Sequence, residues 1–178
     1  MSLKDVFKTR IDRAAQLLEQ PSIESKTIQF GSSDLSNPDK LEQLHAQFPR
    51  KIEGVTYLYR LSVDTNDTAL ASQVRLEYRR ARAKMIFNMS RDNEEHPNSN
   101  SLYVGTSQSL YDRFRTHLGR GAGKSTWALY LSEWATQLKP TFTVEYYEFM
   151  DAFQEDVELI EGVLWDSLRP MFGKKGGK

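Results

Sequence analysis

Hydrophobic positions change their period several times along the chain, and each change predicts an element. In "LKDVFKTRIDRAAQLLEQ" the set Val6, Phe7, Ile11, Ala14, Leu17 and Leu18 repeats at helical spacing until Pro21, whose fixed ring and missing N–H stop a helix. An extended "SIESKTIQFGSSD" follows, then "SNPDKLEQLHAQF". There Ser36 or Asn37 can cap a helix, Pro38 sits near its first position, and Leu41, Leu44 and Phe48 share a face until Pro49. From Ile52, "IEGVTYLYRLSVD" is rich in β-branched and aromatic residues and predicts a strand. Helical spacing returns in "TALASQVRLEYRRARAKM", with Val74, Tyr78, Ala81 and Met85 as the apolar stripe and Arg75, Arg79 and Arg82 along a neighbouring one. "SRDNEEHPNSN" has the composition of a loop and "SLYVGTS" of a short strand. "SQSLYDRFRTHL" and "KSTWALYLSEWATQL" predict two helices, "TFTVEYYEF" a third strand, and "DAFQEDVELIEGVLWDSL" a closing helix. The expectation is an α+β protein. Residues 1–49 form an N-terminal helical arm, 50–173 the main unit, and 174–178 a basic tail.

Composition narrows the class without naming a partner. A chain of 178 residues with 39% hydrophobic content can bury one substantial core. Cysteine is absent, no stretch approaches the roughly 18 apolar residues of a membrane span, and the N-terminus lacks a signal peptide's apolar run and cleavage site. A cytoplasmic, non-membrane protein is expected. Lys plus Arg equals Asp plus Glu at 24 each, so affinity for nucleic acid has to come from local clusters. Arg75, Arg79 and Arg82 form one; Arg113, Arg115, Arg120 and Lys124 form another; Lys174, Lys175 and Lys178 add a third. Acids gather from Glu145 to Asp166.

"LGRGAGKST", residues 118–126, invites a nucleotide-binding interpretation and does not sustain it. A P-loop needs a glycine five places before Gly123, where Leu118 stands, and a strand leading in, where an amphipathic helix is predicted. The run is better suited to letting backbone N–H groups, with Arg120 and Lys124, approach a phosphodiester; a flexible helix connection capped by Ser125 or Thr126 is the plainer alternative.

Three segments carry a more specific pattern. "VTYLYRL" begins at Val55, "LYVGTSQSLYDRFRTHL" at Leu102 and "IEGVLWDSLRPMFG" at Ile160. In the second, Arg113 follows Tyr103 by ten residues and His117 follows by four more; in the third, Pro170 lies nine after Glu161. These blocks resemble the signature blocks of the GIY-YIG nuclease family over most of residues 52–173. The resemblance implies a small three-stranded antiparallel sheet flanked by helices, with residues 66–88 as a helical insertion like those of restriction endonucleases. It implies a DNA endonuclease, with restriction or defence as its setting, using Mg2+ or Mn2+ on Glu161. Tyr57, Tyr103, Arg113, His117 and Glu161 are its expected catalytic residues, with Tyr57 orienting or activating the attacking water. DNA contacts are expected from Arg75, Arg79, Arg82, Arg115, Arg120 and Lys124. Oligomeric state is open, a dimer included.

The residues fit such chemistry on their own terms. Leu110, Phe114 and Leu118 form a buried ridge, and Arg113 and His117 emerge together beside it. A permanently charged planar guanidinium suits two phosphate oxygens, and histidine titrates near neutrality. Glu161 lies beside the apolar face of Val157, Ile160, Leu164 and Leu168, with Glu158 one turn earlier as the alternative metal ligand. The family's pattern ends in an asparagine where this chain has Gly173, so a catalytically impaired nucleic-acid-binding module is the second expectation. A protein-interaction domain using the Trp127 and Trp134 helix is the third.

Overall fold

The computed structural model describes residues 2–20, 23–64, 67–84, 88–121 and 127–176. Its framework is one antiparallel sheet of four strands: β1 (Lys26–Phe30), β2 (Val55–Val63), β3 (Ser101–Ser107) and β4 (Phe142–Met150), in the order β1-β4-β2-β3. The α+β class stands, but three strands become four. The extra one is the extended stretch after the first helix. Thr27 and Gln29 face outward while Ile28 and Phe30 are buried, the alternation of a strand with one face on a core. Five residues of mostly polar letters hid it.

β2 is the central strand, and its two faces serve different layers. Tyr57, Tyr59, Leu61 and Val63 enter the main core, whereas Leu58 joins Phe149 and Val157 beneath the closing helix. That helix, α6 (Gln154–Leu168), also receives α1 (Leu3–Leu18), whose Arg13 binds the buried Asp156 carboxylate at 2.9 Å. Phe7 and Ile11 on α1 stay exposed. After β1 come a short α2 (Ser32–Ser36) and α3 (Pro38–Ala46), which Asn37 caps by accepting from the backbone of Asp39 and Lys40. Leu41, Leu44 and Phe48 fill the main core as their spacing predicts. The residues expected as an arm thus supply an edge strand and a core helix. Among the described residues no helix is long and apolar enough to cross a membrane.

α4 (Thr68–Lys84) buries Val74 and Tyr78 as expected, but its arginines do not share one exposed ridge. Arg75 is buried, holding Asp92 through Nε at 2.8 Å and donating to the Asn93 carbonyl, and Arg79 also pairs with Asp92. The acids of the loop after the helix hold both cations, Arg75 in the interior and Arg79 at the surface. Residues 91–93 then clasp the segment after α6: Asn93 binds the Met171 and Pro170 carbonyls, and the Gly173 amide donates to the Arg91 carbonyl. Arg75→Ala removes the buried partner of the Asp92 carboxylate and leaves it only the more exposed Arg79, so it should cost about 2 kcal/mol of stability in chemical denaturation, against a negligible effect for Arg82→Ala at an exposed position.

The largest departure lies between α5 (Leu110–His117) and β4. No helix forms from Trp127 to Leu138; two short 3-10 turns, Leu131–Glu133 and Ala135–Gln137, occupy the stretch. Leu129, Leu131, Trp134, Ala135 and Leu138 are all buried, so burial on several sides, not a helical face, accounts for the apolar letters. Trp134 hydrogen-bonds the Leu129 carbonyl at 2.7 Å, while Trp127 is 56% exposed.

Candidate active site

β2, β3, α5 and α6 each contribute side chains to one pocket of about 470 Å³, lined by Tyr59, Tyr103, Thr106, Arg113, Glu158 and Glu161 together with Lys174, Lys175 and Gly176. Antiparallel pairing sets Tyr59 opposite Gly105. A Cβ on Gly105 would lie 2.9 Å from the Tyr59 hydroxyl and 3.0 Å from the Tyr103 ring, which explains a glycine in the middle of a strand. The two tyrosine rings stack 6.1 Å apart.

α5 starts at Ser109, whose hydroxyl accepts from the Asp112 backbone. Leu110, Phe114 and Leu118 are buried as predicted, and Phe114 stacks on Phe48 with ring centroids 4.1 Å apart. This packing fixes Arg113 and His117 on the side facing the tyrosines. Arg113 bridges them, its Nε donating to the Tyr59 hydroxyl oxygen at 2.9 Å and its Nη2 to that of Tyr103 at 2.8 Å. His117 Nδ1 accepts from the Leu129 amide at 3.3 Å, so the neutral ring carries its proton on Nε2, which lies 3.1 Å from the Tyr59 oxygen and donates to it. With two N–H groups directed at its oxygen, Tyr59 has its own O–H left to donate.

Ionisation follows from burial and the guanidinium. Burial opposes charge on Arg113, but the phenolic oxygens of Tyr59 and Tyr103 outweigh it and raise its pKa. Burial, followed by the Arg113 charge, holds His117 well below the ordinary histidine value, so it is neutral at pH 7. Burial pushes the Tyr59 phenol up although Arg113 pulls the other way, so Tyr59 keeps its proton. Burial also raises the Glu161 carboxyl, partly offset by the Thr106 hydroxyl that donates to its Oε2 at 2.8 Å.

Four of the five expected catalytic residues come together: Tyr103, Arg113, His117 and Glu161. Tyr57 does not join them. Its hydroxyl donates to the Arg50 carbonyl at 3.2 Å and its ring meets Tyr146 edge-on; Tyr59 takes the place expected for it. Residues two apart in a strand share a face, so periodicity could not separate the two tyrosines, whereas pairing opposite Gly105 does. Thr106 also escaped sequence reasoning, because its role depends on the approach of α6 to β3.

The expected DNA contacts divide. Arg75 is buried, Arg79 is paired with Asp92 and Glu94, and Arg120 is paired with Glu42. Arg82 and Arg115 are exposed and form no ion pair among the described residues, and Lys124 lies outside them. Gly162, in the middle of α6, is not crowded: a Cβ there would make only ordinary contact, 3.7 Å from Lys175. Gly173 is, with φ of 101° and a Cβ position 2.8 Å from the Tyr103 ring. Gly173→Asn therefore should not improve the site. It forces a side chain into the left-handed region at about 1–2 kcal/mol and displaces Tyr103, so a lower melting temperature and weaker activity are expected; a gain in activity would refute this geometry.

Among the described residues no group of three or more His, Cys, Asp or Glu side chains could hold a metal ion. Glu161 and Glu158 are the carboxylates that line the pocket. No protein-family profile, curated protein or solved structure matches the chain.

Proposed function

We propose that this protein is a metal-dependent endonuclease of the GIY-YIG kind, hydrolysing phosphodiester bonds of DNA in the pocket between β2, β3, α5 and α6. The observation that carries it is Arg113, a buried-edge guanidinium held by two tyrosine hydroxyls and facing a carboxylate across one cavity. A restriction or defence setting follows from the family resemblance.

In the proposed reaction a water oxygen bonds to phosphorus as the P–O bond to the leaving oxygen breaks; the water's proton passes to solvent, and the departing oxygen takes a proton from solvent. Arg113 uses two of its nitrogens on tyrosines, and Nη1 has no protein partner among the described residues. It is the group to face the charge that builds on the phosphoryl oxygens. Tyr59, kept protonated by burial, donates its O–H to a phosphoryl oxygen or to the incoming water and fixes its direction. Neutral His117 holds the Tyr59 oxygen in place from the other side. The donor set suits Mg2+ or Mn2+: such ions need only one or two carboxylates when water and phosphate oxygens complete their shell, and Glu161 and Glu158 sit one turn apart. Bound there, the ion would neutralise charge on the leaving oxygen. Lys174 adds a cation to the same pocket.

Nicking of supercoiled DNA should need Mg2+ or Mn2+ and stop with chelator. Its rate should fall as pH is lowered, because the working form of Glu161 is the carboxylate. Since burial raises that group, the fall should be centred above the ordinary glutamate value of about 4.3. Metal-independent nicking, or a rate that climbs with acidity, would count against the proposal. The second reading, a DNA-binding module without catalysis, has one observation in its favour: Gly173 stands where the family has an amide.

A further inference from the structure

A second cavity opens beside the first. It measures about 230 Å³ and is lined by Ser90, Arg91, Tyr103, Trp127, Gly173 and Lys174, so it shares Tyr103 and Lys174 with the larger pocket. Its walls are mostly apolar. Gly173 brings only backbone to them, and the loop bearing Ser90 and Arg91 is held by α4 and by the Ser90 amide donating to the Ala128 carbonyl.

Two features here are left unpartnered among the described residues. Trp127 is 56% exposed and stacks on no other ring among the described residues. A large aromatic face left open to water is costly unless something covers it. Ser90 is almost wholly buried, yet its hydroxyl has no hydrogen-bond partner among the described residues, a state that costs free energy until a polar group arrives. A ligand satisfying both has a flat aromatic body and a polar edge. A nucleobase is such a group, and the shared Tyr103 and Lys174 place its phosphate next door.

We propose that this cleft receives one unstacked nucleobase adjoining the phosphodiester that Arg113 and Glu161 handle; this rests on the nuclease reading and extends it to substrate class. Trp127 stacks on the face of the base, Ser90 hydrogen-bonds its edge, and Arg91 and Lys174 meet the flanking phosphates. Bases inside a duplex are stacked on both faces and cannot enter, so the preferred substrate is single-stranded or carries an extrahelical or terminal base. The basic patches of the sequence do not carry this preference, because their cations contact backbone and not bases.

The test uses the full chain, with chelator present to prevent cleavage, and fluorescently labelled single strands of about ten nucleotides, each intact or with one abasic position moved along it. Wild type should bind the intact strand better than the matching blunt duplex, and one abasic position should weaken binding about tenfold. Trp127→Ala should lose about as much and become indifferent to the abasic position, while Trp127→Phe keeps most of the affinity. Because Trp127 is exposed, both variants should retain the wild-type melting temperature, and Trp127→Leu, which also lacks an aromatic face, takes the place of the alanine variant if that one does not fold. Unchanged affinity and abasic dependence in Trp127→Ala overturns the base site; if metal-dependent nicking by wild type is then intact, the hydrolytic reading survives alone. Absence of cleavage by wild type, with the Trp127 and abasic effects present, removes hydrolysis and leaves the base site standing.

Discussion

Tyr59→Phe should lower DNA cleavage by about 100-fold or more, the usual scale for loss of a positioned hydrogen-bond donor to the transition state, while Tyr57→Phe should leave the rate near wild type. Both substitutions remove one hydroxyl from the same strand face and leave the ring packing. Only the Tyr59 hydroxyl sits between Arg113 and His117, and its loss leaves Arg113 Nε and His117 Nε2 without their acceptor. The Tyr57 hydroxyl donates to the Arg50 carbonyl, a bond worth about 1 kcal/mol of stability. Single-turnover cleavage with saturating enzyme separates the chemical step from binding. Equal losses in both variants, or a loss confined to Tyr57→Phe, would contradict the placement of the site.

Arg113→Lys is expected to reduce the rate by about 10²- to 10³-fold with little loss of DNA affinity. Lysine keeps the charge, so an electrostatic account based on charge alone predicts a mild effect. The guanidinium does more: Nε and Nη2 span the two tyrosine oxygens while a third nitrogen is left over. An ammonium at the end of a flexible stem cannot hold that planar geometry. Burial is the main cause that keeps His117 and Tyr59 neutral, and the Arg113 charge lowers the pKa of both; lysine preserves that charge, so both should keep their neutral forms in Arg113→Lys. The loss would then report geometry. A Lys variant with more than about a tenth of wild-type activity would reduce Arg113 to a source of charge.

How much of this could be read in the letters depends on whether a residue's partner is local. The α5 ridge of Leu110, Phe114 and Leu118 and the emergence of Arg113 with His117 follow from helical spacing alone, and both are present. Asn37 capping α3 is equally local. Tyr59 against Tyr57 was not decidable, because the choice depends on β2–β3 register. Arg75 looked like part of a basic ridge because its acid, Asp92, lies 17 residues on, across a turn of unknown path. The stretch from Trp127 to Leu138 has helical letters but is buried on several sides, and tertiary contact replaces the helix with 3-10 turns. β1 was concealed by its brevity and its edge position next to β4. Sequence therefore specified the helix that bears Arg113 and His117, with Tyr103 and Glu161 beside it, while strand pairing selected which tyrosine of β2 joins them and the approach of α6 added Thr106.

The proposed phosphodiester hydrolysis depends on the Glu161 carboxylate. Nicking of supercoiled DNA should therefore be compared between wild type and Glu161→Gln, each with Mg2+ and with chelator. The substitution retains a hydrogen-bond acceptor for Thr106 and removes the charge. Metal-dependent nicking by wild type, absent from a folded Glu161→Gln variant that still binds DNA, is the predicted result. Nicking at the wild-type rate by Glu161→Gln would contradict the claim, as would wild-type protein that binds DNA of diverse sequence and structure yet cuts none of it.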